Sequence, residues 1–235
     1  MNTHRNWILG VSFIIGMTVC ALIAGHTIRS VKRMDEFVTV KGLSEREVPA
    51  DLAIWPIAFT VSGNDLTQLQ GQIQTARATV YHFLTESGFE PNEVSNAPPQ
   101  INDAQTSGGL DVAKRPFRYQ ANITVLLRSV KVAKIKSAME TCDKLVQQGI
   151  ALSGGDYSSK PQFLFTGLNE IKPDMIQEAN RNARKAAERF AADSNSPVGA
   201  VRHAIQGPFE INDVDSSSPD RKIVRVVTTV DFYLQ

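Results

Sequence analysis

Cysteine is almost absent from this chain of 235 residues: Cys20 sits in an apolar run and Cys142 in a segment of helical periodicity. Two thiols so placed exclude a disulfide framework, a pattern shared by cytoplasmic domains and by exported ones large enough to hold a core. Histidine is equally sparse. His4, His26, His82 and His203 lack the short spacings that gather metal ligands, so no metal and no cofactor is expected. An excess of charge is missing too, since 25 basic and 24 acidic residues leave a formal net charge of +1. Without a basic footprint, nucleic acid is not an expected partner.

Catalytic signatures are also lacking. Ser44, Ser62, Ser153 and Ser158 have no nucleophile-elbow glycines around them, and no catalytic, cofactor-binding or metal-binding residue stands out. Gly154 and Gly155, in SGGDYSSK, lack phosphate-loop spacing and read as a tight turn. Cys142 falls on an apolar helical face and reads as buried packing. The enzyme alternative is a hydrolase or redox enzyme whose site assembles from distant residues such as His82, His203 or Asp156.

The first feature present is a long apolar run. Trp7 to Ile28 contains no Asp, Glu, Lys or Arg and is bracketed by Arg5 and Arg29. As a helix its roughly 22 positions extend about 33 Å, enough for a hydrocarbon core of about 30 Å. It exceeds the apolar core of a cleaved signal, about 7 to 15 residues, and its small residues Ala21, Ala24 and Gly25 fit a cleavage site poorly. An uncleaved transmembrane anchor over residues 7–28 is therefore expected, within a tip and anchor region, 1–34, ahead of a folded region, 35–235. Arg5 on one side and Arg29, Lys32 and Arg33 on the other leave its orientation open.

The remainder, about 200 residues, suffices for one good core or two small ones. Three amphipathic helices are expected. Leu66, Leu69, Ile73, Ala76, Val80 and Phe83 trace one stripe between an Asn64 cap and Gly88. Val132, Ile135, Met139, Cys142 and Val146 trace a second, over 130–148, between Ser129 and Gly149. The third starts at Pro173 and buries Ile176, Ala179, Ala183, Ala186 and Phe190; its charged face, with Glu178, Arg181, Arg184, Lys185, Glu188 and Arg189, reads as solvated.

Between the helices the period falls to two. Strands are expected over 37–40, 48–61 (with Pro56 marking an edge or bulge), 117–127 with its odd positions buried, 150–153, 162–166, 198–206 and 223–234. Polar, turn-rich loops are expected over 96–116 and 207–221. The fold class is α+β, with antiparallel or mixed sheets and the three helices packed on them.

Several of these segments occur together in one known family. VTVKGLSEREVPADLAIWPIAF, with Gly42, Pro49, Asp51 and Ala53, is followed by FRYQANITVLLRSVKVAKI, the helix ending at Gly149, the Glu178 to Ala191 helix and the final VVTTVDFYL. In that order the chain resembles the SIMPL-domain family, a bacterial domain of unknown function, from about Glu36 to Gln235. Ala50 separates Pro49 from Asp51 where the family pairs them. The resemblance implies an exported domain of a Gram-negative envelope, hence a single-pass inner-membrane protein with its C-terminal region in the periplasm. It also implies self-assembly into a homo-oligomer and a link to resistance to oxidative stress, with no catalytic motif to carry over and no named protein partner.

Overall fold

The computed structural model describes residues 16–23, 36–106, 116–153 and 160–234. In chain order the elements are β1 (Phe37–Pro49), β2 (Leu52–Gly63), α1 (Leu66–Glu86), β3 (Val94–Asn96), β4 (Gln100–Asp103), β5 (Tyr119–Ser129), α2 (Val132–Glu140), α3 (Asp143–Gln147), β6 (Ala151–Leu152), β7 (Gln162–Leu164), α4 (Leu168–Ser194), β8 (Val198–Asp213) and β9 (Arg221–Leu234). They form two compact units.

The first unit comprises Glu47–Asn169 with Ile211–Ile223. Its sheet is built on β2 and β5, antiparallel and in register from Ala53 opposite Ser129 to Gly63 opposite Tyr119. This register sets odd residues opposite odd ones, so Trp55, Ile57 and Phe59 share a face with Ile123, Val125 and Leu127. All six are buried with Leu69, Ile73, Val80 and Phe83 of α1, Ile135 of α2 and Leu145 of α3. Burying each such side chain contributes about 1.5–3 kcal/mol, which makes this cluster the main stabilising feature of the unit.

Two short strands flank each long one. β3 and β4 share the outer side of β5, while β6 and β7 share that of β2. Pro56 is therefore in a central strand rather than an edge or bulge. It is tolerated because β7 pairs with residues 52–54 and β6 with 59–60, so among the described residues no ladder bond on that side calls on its missing N–H.

The second unit collects described residues up to Arg46, Glu170–Glu210 and those from Val224. β9 lies between β1 and β8 in a three-stranded sheet. Val38, Val230 and Phe232 pack with Ala183 and Ala187 of α4. The alanines allow a close approach, and Gly42 closer still: a Cβ there would lie 1.9 Å from the Ala179 carbonyl oxygen.

Several expectations need correction. Five α-helices occur among the described residues, counting 16–23, in place of three amphipathic helices after an anchor. The helix expected over 130–148 is two, because Thr141 caps α2 through its N–H and turns its hydroxyl back on the carbonyls of Ser137 and Ala138. α4 begins before Pro173, which falls within it, and buries Met175, Ala179, Ala183, Ala187 and Ala191. That stripe is turned from the expected one: Phe190 is exposed and Ala186 half-buried.

β1 and β2 meet at Ala50 and Asp51, so the strand expected from Val48 is two. The expected loop over 207–221 is strand through Asp213, and the one over 96–116 contains β4. α1 is capped by Asp65, whose carboxylate accepts from the Gln68 N–H, rather than by Asn64. Most of the anchor at 7–28 lies outside the described residues; 16–23 is helical and exposed. No helix among the described residues is long and apolar enough to cross a membrane.

Candidate functional site

The side chains named for an enzyme occupy separate, ordinary settings. His82 faces Glu86 one turn on along α1, at 3.6 Å, with both side chains mostly exposed. His203 on β8 stands 4.0 Å from Asp231, and Asp156 lies outside the described residues, as do His4, His26, Ser158 and the Gly154–Gly155 pair. Buried Ser44 donates to Glu178, and Ser153 shares a hydrogen bond with Thr60. Cys142 is half-buried against the first unit's core. Among the described residues no cluster of His, Cys, Asp or Glu has the makings of a metal site.

Sequence reasoning overlooked one trio with the composition of a catalytic centre. Glu93 accepts from the Ser129 hydroxyl at 2.5 Å, the Lys131 ammonium at 2.9 Å and the Glu90 N–H at 2.8 Å. Burial pushes its carboxyl pKa up, but the Glu90 amide, the Ser129 hydroxyl and Lys131 together hold it down at about 2. A carboxylate so stabilised as an anion is a poor base for Ser129. The trio is a latch joining the 3₁₀ turn Pro91–Glu93 to the end of β5.

Asp51 is a second latch. Its carboxylate accepts from the Thr166 N–H and hydroxyl and from the Gly167 N–H, at 2.8–3.0 Å, just before α4 begins. This satisfies backbone donors left over at a helix start, a tertiary form of N-capping.

A surface with capacity to receive something lies in the second unit, between α4 and β8. Val201, Ala204, Val230 and Phe232 line a groove of about 340 Å³, with Asn180, Arg181 and Arg184 on its helical side. The Arg184 guanidinium is 5.8 Å from the Phe232 ring and bonded at 3.3 Å to Glu188. Arg181 forms no ion pair among the described residues. The sequence placed both arginines on a solvated face and contains no signal that β8 would run beside them. The groove exists because α4 seats its alanines on β1 and β9, leaving β8 beyond Gly199 mostly exposed.

Helices packed on antiparallel sheets in two units make this an α+β protein. The chain belongs to the SIMPL family: the family model, described as a protein of unknown function (DUF541), matches residues 38–228. The match takes in Gly42, Asp51 and Ala53, for which the structure supplies reasons: close approach of α4, the carboxylate latch and a fully buried strand position. No curated protein matches the chain.

Proposed function

We propose that this chain is a non-enzymatic envelope protein, held to the inner membrane by residues 7–28 with residues 35–235 in the periplasm, that works by assembling with its own copies or with a protein partner. The observation that carries this reading is β8. Of its 16 residues only Gly199 is buried, and it stands at one end of the strand order β1-β9-β8. A long edge strand exposed on both faces is a template for pairing with another chain, which soluble monomers ordinarily blunt or cover. The placement in the envelope rests on the apolar run and on the family resemblance; the link to oxidative stress rests on the resemblance alone.

Two measurements test the proposal. A reporter that is active only outside the cytoplasm, fused after Gln235, is expected to be active; a silent fusion of normal abundance refutes the location. Sedimentation of the full chain in detergent is expected to give an assembly, and a strict monomer that binds no partner refutes the mode of action. Survival of a deletion strain in peroxide, with and without the restored gene, tests the stress link.

A further inference from the structure

We infer that the groove between α4 and β8 is a binding site for an extended, acidic–apolar peptide segment of a partner protein, which adds as a strand to the edge of β8. The inference rests on the partner-binding half of the proposal above and names the partner's chemistry. Three features converge on it.

First, the order β1-β9-β8 leaves one side of β8 without a neighbour among the described residues, so alternate backbone N–H and C=O groups face outward. An added strand satisfies them, giving affinity independent of side-chain identity. The stretch 198–206 is suited to this, since Arg202 and His203 are its only ionisable residues and Val201 and Ile205 are 51% and 57% exposed. Gly207 and Pro208 end it: a Cβ at Gly207 would meet the Val227 carbonyl oxygen at 2.8 Å, and Pro208 has no N–H to donate.

Second, the groove runs beside this same stretch, with Val201 and Ala204 in its wall and Val230 and Phe232 beneath α4. Its volume of about 340 Å³ accommodates a branched apolar side chain together with an adjoining carboxylate. In an added strand alternate side chains point to one face, so every second residue of the peptide addresses the groove side.

Third, the rim sets the charge. Arg181 has no ion-pair partner among the described residues, and Arg184, lying over the Phe232 ring, has exposed Glu188 as its ion-pair partner there. Two guanidiniums beside an apolar floor select a carboxylate next to an apolar side chain, and Arg offers it a planar pair of donors. A basic peptide meets two like charges at the same place.

The test is fluorescence anisotropy of labelled peptides titrated with the full chain. A peptide alternating valine with glutamate is expected to bind saturably, and its valine–lysine counterpart at least tenfold more weakly. N-methylating alternate amides, on the set that faces β8, is expected to abolish binding. The double variant Arg181→Glu/Arg184→Glu, at exposed positions and checked for an unchanged circular dichroism spectrum, is expected to lose the glutamate peptide at least tenfold and to gain the lysine peptide. No saturable binding, equal binding of the two peptides, or binding indifferent to N-methylation each overturns the inference.

Sedimentation of the same samples separates this from self-assembly. A peptide-binding monomer supports the inference while removing the homo-oligomer. An oligomer that binds no peptide and is dispersed by Val201→Lys assigns the edge to a second copy, overturning the inference and leaving assembly intact.

Discussion

Replacing Gly42 with alanine tests how closely α4 is seated on β1. The added Cβ would lie 1.9 Å from the Ala179 carbonyl oxygen, 2.5 Å from the Ala183 nitrogen and 2.8 Å from the Ala183 Cβ. Ordinary contact begins at 3.4 Å, so α4 must retreat by about 1.5 Å. Two of the three obstacles are backbone atoms, which no rotamer change moves aside. Retreat would loosen Ala179, Ala183 and Ala187, all fully buried, and the packing of Val38, Val230 and Phe232 beneath them. Overpacking costs about 1–3 kcal/mol, and a collision with a helix backbone belongs at the upper end, so a loss of about 3 kcal/mol is expected. At about 2–4 °C per kcal/mol for a chain of this size, that lowers Tm by about 6–12 °C. Gly71→Ala is the control. It lies within α1 with nothing inside 4 Å of a new Cβ, and it should gain about 0.5–1 kcal/mol from helix propensity. Urea unfolding followed by far-UV circular dichroism, with amide exchange along α4, measures both. A Gly42→Ala protein with an unchanged midpoint and unchanged exchange in α4 would refute the packing argument.

Asp51→Ala should cost about 1 kcal/mol, because it removes the carboxylate that caps the Thr166 and Gly167 donors at the entry to α4 while water reaches exposed Thr166, and Asp51→Asn should cost less; thermal melts decide it. The Glu93 carboxyl is held at about 2, below its ordinary 4.5, so its stabilisation is complete above pH 4.5 and is lost as pH falls toward 2. Ser129→Ala should raise that pKa, read by carboxyl NMR titration, and so narrow the acid window; an unmoved titration would show that the hydroxyl contributes nothing. Phe59→Ala, at a site 1% exposed, should lose about 3–5 kcal/mol by emptying the first unit's core, and a loss below 1 kcal/mol in urea titration would contradict the packing described for β2.

The odd stripe of β5 from Tyr119 to Leu127 was legible because strand side chains alternate strictly and one face is buried. The stripe on α1 was equally plain, apart from exposed Leu66 at its start. Boundaries were less so. Nothing in the periodicity of 130–148 announces a break at Thr141, which depends on one side chain turning back on the helix. The turned face of α4 had a similar cause: Ala186 and Ala187 fit an apolar stripe equally well, and only contact with β1 and β9 chooses between them. The groove was less legible still. Arg181 and Arg184 look like any exposed helical charges until β8 is laid beside them.

Local chemistry thus settles element type over most of this chain, along with the scarcity of thiols, the near-zero net charge and the family, since period, turn residues and motif order are properties of neighbouring residues. Folding settles the rest. The latches of Asp51 and Glu93 join residues up to 116 positions apart, and the groove joins α4 to strands that follow it. Contacts of that kind arise from which faces meet, and the faces meet where glycine and alanine let the backbones come close.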